Sequence, residues 1–180
     1  MYPYFRMLKE LLKFRNAPKL GFFDTHVSHH RIWPWDLDPW MELNNGRTLT
    51  IYDLGRIPLA NRMGFREVMR ANGWGMTVAG NTTRYRRRVK LFDRVEMRTR
   101  LIGWDARFIY MEQSMWRQGE CTSHLLLRSA LVKASAGRAG IVAPSEMAIA
   151  FGQDGVSPPL PAWVQAWAEA ETHRPWPPEM

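Results

Sequence analysis

Residues 36–56 read Asp36-Leu37-Asp38-Pro39-Trp40-Met41-Glu42-Leu43-Asn44-Asn45-Gly46-Arg47, then Thr48-Leu49-Thr50-Ile51-Tyr52-Asp53-Leu54-Gly55-Arg56. The first part is a loop: Asp36 and Asp38 sit among turn formers, and Pro39 biases Asp38 away from helical angles. Asn44 or Asn45 then offers an N-cap. Apolar residues follow at Leu49, Tyr52, Ile57 and Leu59, so the stretch predicts a helix lying against something apolar. A helix start presents unpaired N–H groups and a partial positive charge. That suits a carbonyl oxygen as it gains charge. Asp and Asn ahead of a helix are ordinarily caps and turns. The sharper reading has a carboxylate just upstream attack the carbonyl or activate a water.

The same residues carry a family resemblance. Asp36-x-Asp38, five residues and then Asn44-Asn45 before a helix resembles the 4-hydroxybenzoyl-CoA thioesterase-like branch of the hot-dog superfamily. That signature runs roughly Asp-x-Asp-x-x-Gly-His-Val-Asn-Asn. Met41 stands here at the usual Gly and Glu42 at the usual His. The resemblance implies an α+β hot-dog fold, a curved antiparallel sheet wrapped around a long central helix. It implies an acyl-CoA thioesterase with Asp38 as catalytic carboxylate. Backbone N–H groups near Asn45, Gly46 and Arg47 would polarise the thioester carbonyl, and Asn44 or Asn45 would hold the loop or the water. It implies a homodimer, or a dimer of dimers, with sites at the subunit interface and no cofactor beyond the coenzyme A of the substrate. The alternative, which the changes at Met41 and Glu42 favour, is a non-catalytic hot-dog protein binding an acyl group or a protein partner. Hydratases of this fold carry a His five residues after the Asp; position 43 here is Leu.

Upstream, Thr25 to Trp33 reads as a strand with His26, Ser28, His30 and Ile32 on one face. A strand rises about 3.3 Å per residue, so His26 and His30 lie about 13 Å apart, too far to share a metal ion. No metal is expected. Residues 1–24 form a basic extension in which Tyr4, Leu8, Leu11 and Phe14 or Arg15 follow helical spacing. The main expectation is a helix packed on its own domain or on a partner subunit; the sharper one is a membrane-surface anchor.

Downstream, Asp53 is expected to pair with Arg56 at i+3, and it is the fallback catalytic carboxylate. Gly55 suits close approach to a sheet. Pro58 is expected to kink or split the helix before Gly64. A short helix or irregular link follows to Trp74. Strands are expected from Met76 to Tyr85 or Val89, from Asp93 to Ile102, from Phe108 to Trp116 and from Cys121 to Lys133, with turns at Gly103–Ala106 and Gln118–Glu120. The last strand is nearly all apolar, as for a strand covered on both faces. Ala134–Gly140 reads as a small-residue loop, Pro144–Phe151 as one or two helical turns, and residues 152–180 as a Pro/Trp-rich segment with a helix over Ala162–Thr172. The single hot-dog domain then spans residues 25–151.

Arg84, Arg86 and Arg88 are expected on one strand face, where they suit a charged sheet edge, the phosphates of coenzyme A or a nucleic acid. No nucleic-acid motif accompanies them. Glu42 and Arg47 complete the expected substrate contacts. The chain has 180 residues, 46% of them apolar, a formal net charge of +8 and one cysteine. That fits one domain, anionic partners and a reducing, cytoplasmic setting without a disulfide. Cys121 reads as a core residue.

Overall fold

The apolar positions behind Asn44 form one helix. In the computed structural model, which describes residues 2–133 and 140–179, α2 runs from Asn45 to Met63 and buries Ile51, Tyr52, Leu54 and Leu59. The Asn44 side chain accepts the Arg47 N–H at 3.1 Å, an N-cap. Gly64 ends the helix with φ 75°, a left-handed conformation that costs glycine little. Two expectations need correction. α2 is continuous through Pro58, which is buried; packing of that face outweighs the lost N–H. Ile57 lies on the exposed side, while Leu54 takes the core position.

The chain then forms α3 (Phe65–Asn72), β2 (Trp74–Tyr85), β3 (Arg94–Trp104), β4 (Ile109–Arg117) and β5 (Glu120–Lys133). With β1 (His26–Arg31) they build an antiparallel sheet in the order β1-β3-β4-β5-β2. A two-residue strand, β6 (Ile141–Val142), pairs with β5 and was not foreseen. Helices α4 (Pro144–Ala150) and α5 (Ala162–Thr172) follow. The expected loop at Ala134–Gly140 lies outside the described residues, Gly140 apart. This is the α+β hot-dog layer: α2 across one face of an antiparallel sheet.

The expected alternation places Val95, Met97, Thr99 and Leu101 of β3 in the core, while Arg94, Arg98 and Arg100 are exposed. The strand runs through Gly103 and Trp104, where a turn was expected. A register shift between Leu101 and Gly103 lets pairing continue, and Trp104 packs on Phe22 and Phe23. Gln118 and Gly119 make the foreseen tight turn. Strand β5 is covered on both faces: Leu125 meets the α2 side, and Leu126 packs with Tyr110 and Val164 under α5. Arg128 holds α5 down, sitting 4.8 Å from the Phe108 ring and 5.1 Å from that of Trp167, and bonding Glu171 at 2.9 Å.

The N-terminal helix α1 spans Tyr4–Lys13. Its inward face is Met7, Glu10 and Leu11; Tyr4 and Leu8, expected beside Leu11, are exposed. Strand β1 alternates as expected, burying His26, Ser28 and His30. Ser28 Oγ and His30 Nε2 share a hydrogen bond of 2.9 Å. His26 Nδ1 lies 3.1 Å from Arg62, with the ring edge-on to Phe14. Burial, reinforced by neighbouring cations, lowers His26 to about 4 and His30 to about 3. Glu10, 4.0 Å from His30, is pushed up by burial. No helix among the described residues is long and apolar enough to cross a membrane.

Gly55 sets how closely α2 meets the sheet. A Cβ there would stand 2.6 Å from Thr99 Oγ1 and 2.8 Å from Met97 Sδ. Glycine-to-alanine in a helix interior ordinarily stabilises by about 1 kcal/mol. Here Gly55→Ala is expected to destabilise by about 1–3 kcal/mol through overpacking, read as a fall in the chemical-denaturation midpoint.

The buried histidines set an acid limit. The unfolded chain takes up protons at His26 and His30 below about pH 6.5, whereas the folded chain resists until about pH 4 and 3. Their contribution to stability is therefore full above pH 6.5 and lost as the pH falls through that window. Glu10 works in the opposite sense, but it is one group against two. Melting temperature is expected to fall steadily from pH 6.5 to 4, with a shallower slope in His30→Asn.

Candidate active site

Two carboxylates two residues apart take different places. Asp36 ends a 3-10 turn (Pro34–Asp36) and is fully buried. Its Oδ2 accepts Arg6 Nη1 at 2.7 Å and the Trp33 N–H at 3.0 Å; its Oδ1 accepts Arg47 Nε at 2.9 Å. Its carbonyl accepts the Asn44 N–H at 2.9 Å. Asp36 therefore ties α1, the turn and the start of α2 together. Asp38 lies half-buried in the next loop. Its Oδ1 accepts the N–H groups of Trp40 at 2.9 Å and Glu42 at 3.3 Å. Its Oδ2 takes no hydrogen bond among the described residues. Met41, with φ 60°, closes this turn at the position where the motif carries Gly.

Asp38 and Glu42 line a cleft of about 220 Å³ with Asn45, Tyr85 and Ser123. The start of α2 forms one wall. The Arg47 N–H goes to the Asn44 cap, which leaves the Asn45 and Gly46 N–H groups without intrahelical acceptors. The opposite wall is Arg86, Arg87 and Arg88. Strand β2 ends at Tyr85, so these arginines follow one another in an extended bend rather than alternating along a strand. That corrects the expected Arg84, Arg86 and Arg88 face: Arg84 lies on β2 opposite His124 and does not line the cleft. Arg88 Nε meets Glu42 Oε2 at 3.1 Å, and Arg87 pairs with Glu120. Arg86 makes no ion pair among the described residues.

Other expected residues serve elsewhere. The Asn44 side chain caps α2, and the Arg47 guanidinium binds Asp36. Asp53 pairs with Arg56, as its spacing predicts, and both line a separate apolar groove of about 270 Å³ with Ile57, Met76, Val78 and Leu127. Arg56 also donates to Gln113 Oε1 at 2.7 Å. Tyr85, Ser123 and Thr48 enter the cleft without having been singled out for it. Tyr85 faces Ser123 across β2 and β5, a pairing no local sequence signal shows. Ser123 Oγ is held 2.9 Å from the Tyr52 hydroxyl, whose pKa burial pushes up, so that phenol stays neutral. The site thus offers a carboxylate with one oxygen open, beside a helix start and facing a surplus of positive charge.

Residues 32–168 match a family described as the thioesterase-like superfamily. Among curated proteins, the chain is 40% identical over 104 residues to Protein THEM6 of Xenopus laevis, a match covering 57% of this chain and 50% of that protein. The chain spans about half the length of the curated relatives it matches. Among solved structures it resembles YbaW from Escherichia coli, with TM-score 0.64, 16% identity, and 69% and 95% of the two chains covered. It also resembles a 1,4-dihydroxy-2-naphthoyl-CoA thioesterase from Synechocystis, with TM-score 0.60, 7% identity, and 74% and 99% covered. At these identities the structural likeness speaks for the fold.

Asp36 is expected to be structural. Asp36→Ala removes the shared acceptor of two largely buried arginines and should cost about 3 kcal/mol or more of unfolding free energy. Asp38→Ala should leave the unfolding free energy within about 1 kcal/mol of wild type. Chemical denaturation of the two variants side by side checks both.

Proposed function

The chain belongs to the thioesterase-like superfamily of hot-dog proteins, and we propose that it hydrolyses acyl-coenzyme A thioesters at the Asp38 cleft. The observation that carries this reading is the convergence of Asp38, the first turn of α2 and Arg86–Arg88 on one cavity. Asp38 attacks the thioester carbonyl, or takes a proton from a water that does. The carbonyl oxygen gains negative charge and is met by the N–H groups of Asn45 and Gly46. The carbon–sulfur bond breaks and the thiolate leaves, taking up a proton; a water that attacked directly yields the acid at once, whereas attack by Asp38 leaves a mixed anhydride that a water then hydrolyses to release the acid. Asn45, which lines the same cleft as Asp38, helps hold the attacking water. Arg86, which makes no ion pair among the described residues, meets a phosphate of the coenzyme A moiety. No cofactor is needed beyond that moiety.

A homodimer is part of the proposal. Strand β2 is a 12-residue edge strand on the open side of the sheet, with Met76 and Val78 exposed. Pairing of two such edges would cover the backbone groups that a lone sheet leaves open. The single Cys121, half-buried and raised by burial, suits a reducing cytoplasm and gives no reactive thiol. A second reading has one specific support: Glu42 occupies the motif's His position and meets Arg88, so an ion-paired acid stands where the motif has an imidazole. In that reading the cleft binds an acyl group without turnover.

Release of free thiol from short, long and aromatic acyl-CoAs separates the two. Wild type is expected to turn over at least one of them, and Asp38→Asn to lose at least a hundredfold in kcat. Activity unchanged in Asp38→Asn would reject Asp38. Absence of turnover with every thioester, by folded protein, would favour the binding protein.

A further inference from the structure

The face of α1 turned away from the core is apolar and uncovered. Tyr4, Phe5, Leu8 and Leu12 are all exposed, Phe5 by 91% and Tyr4 by 71%. At 100° per residue they fill one sector of the helix, and Lys9 and Lys13 border it. The inward sector, Met7, Glu10 and Leu11, already makes the contacts that hold α1 to its domain, so the outer sector is not needed for folding. The patch continues beyond the helix. Tyr4 and Phe5 share a surface groove with Trp35. Trp35 stacks on Trp33 at 5.6 Å, and Phe92 meets Trp33 edge-on at 5.9 Å. Trp40 and Met41, on the loop that carries Asp38, are exposed as well.

The charge on the segment that carries α1 is mostly positive. Residues 2–20 contain Arg6, Lys9, Lys13, Arg15 and Lys19 against a single acid, Glu10, and Glu10 is buried. Lys9, Lys13 and Arg6 share that one acid, so the segment keeps an excess of positive charge. Arg31 adds a guanidinium 6.0 Å from the Trp33 ring. Exposed Tyr and Trp beside Lys and Arg, with an apolar helix face lying flat, is the chemistry of a membrane–water interface. An acidic headgroup layer would satisfy the cations while the rings and leucines enter the acyl boundary.

We propose that α1 and the Trp33–Trp35 aromatic group form a docking surface for an anionic phospholipid bilayer. The Arg6–Asp36–Arg47 clasp fixes that surface to the start of α2, so a docked molecule holds the Asp38 loop beside the lipid. This surface is independent of the chemistry proposed for the cleft.

The test is co-sedimentation of the full chain with vesicles of phosphatidylglycerol and phosphatidylcholine, or of phosphatidylcholine alone, at low salt. Retention is expected on the anionic vesicles and is expected to weaken sharply in 0.5 M salt. Phe5→Ser and Leu8→Ser should each lower the partition coefficient roughly tenfold, and Lys9→Gln and Lys13→Gln roughly fivefold each. Because all four side chains are exposed, melting temperatures should stay at the wild-type value. Retention no greater on anionic vesicles than in their absence overturns the proposal. So does retention that Phe5→Ser and Leu8→Ser leave unchanged. If those two substitutions instead shift the sedimentation velocity of vesicle-free protein toward a smaller species, and vesicles retain none of the variants or the wild type, the surface is a contact between copies and not a lipid surface.

Discussion

One buried carboxylate holds α1, the loop after β1 and the start of α2 in place. Asp36 has no exposure to solvent, yet it receives two guanidinium groups and a backbone N–H, and its own carbonyl receives a further N–H from Asn44. A buried carboxylate is costly unless its lone pairs are filled, and here the fillers come from three separate elements. The arrangement is consequently all-or-none: α1, the 3-10 turn and the first turn of α2 are each positioned by the same two oxygen atoms. Asp38, two residues on, is anchored through one oxygen by its own loop and keeps the other open. The division of labour between two acids of one motif follows from their burial.

The second constraint is the seat of α2 on the sheet. Gly55 lets the helix lie against Thr99 and Met97, and Gln113 closes the contact by donating to the Tyr52 carbonyl at 2.9 Å and to Thr99 Oγ1 at 2.9 Å. With the middle of the helix fixed there, its start faces Tyr85 and Ser123. Its later turns, with Asp53 and Arg56, face the apolar groove. The helix thus separates a charged cavity at its start from an apolar one farther along.

Much of this was legible in the residues. The Asp-x-Asp to Asn-Asn segment, the alternation of Val95, Met97, Thr99 and Leu101, and the small residue at Gly55 each state a local rule that the packing obeys. What was hidden depended on partners distant in sequence. Pro58 reads as a break until the burial of its face is known. Tyr4 and Leu8 read as the inner face of α1 because apolar residues occupy two sectors of that helix, and spacing cannot say which one meets the core. The cleft's Tyr85 and Ser123 are joined only by the β2–β5 register. Asp36 looked like one more loop acid, since its two arginines come from positions 30 residues before it and 11 after it.

The bend that follows β2 bears on how such a site can change over evolutionary time. In a strand, inserting or deleting one residue turns every later side chain to the opposite face. A phosphate-binding row built on alternate strand positions would be erased by a single indel. Arg86, Arg87 and Arg88 instead follow one another past the end of the strand, and all three border the same cavity. Loss of one codon there would shift the next arginine into its predecessor's place. Positive charge at the cleft is thus buffered against slippage in a way that the identity of any one arginine is not.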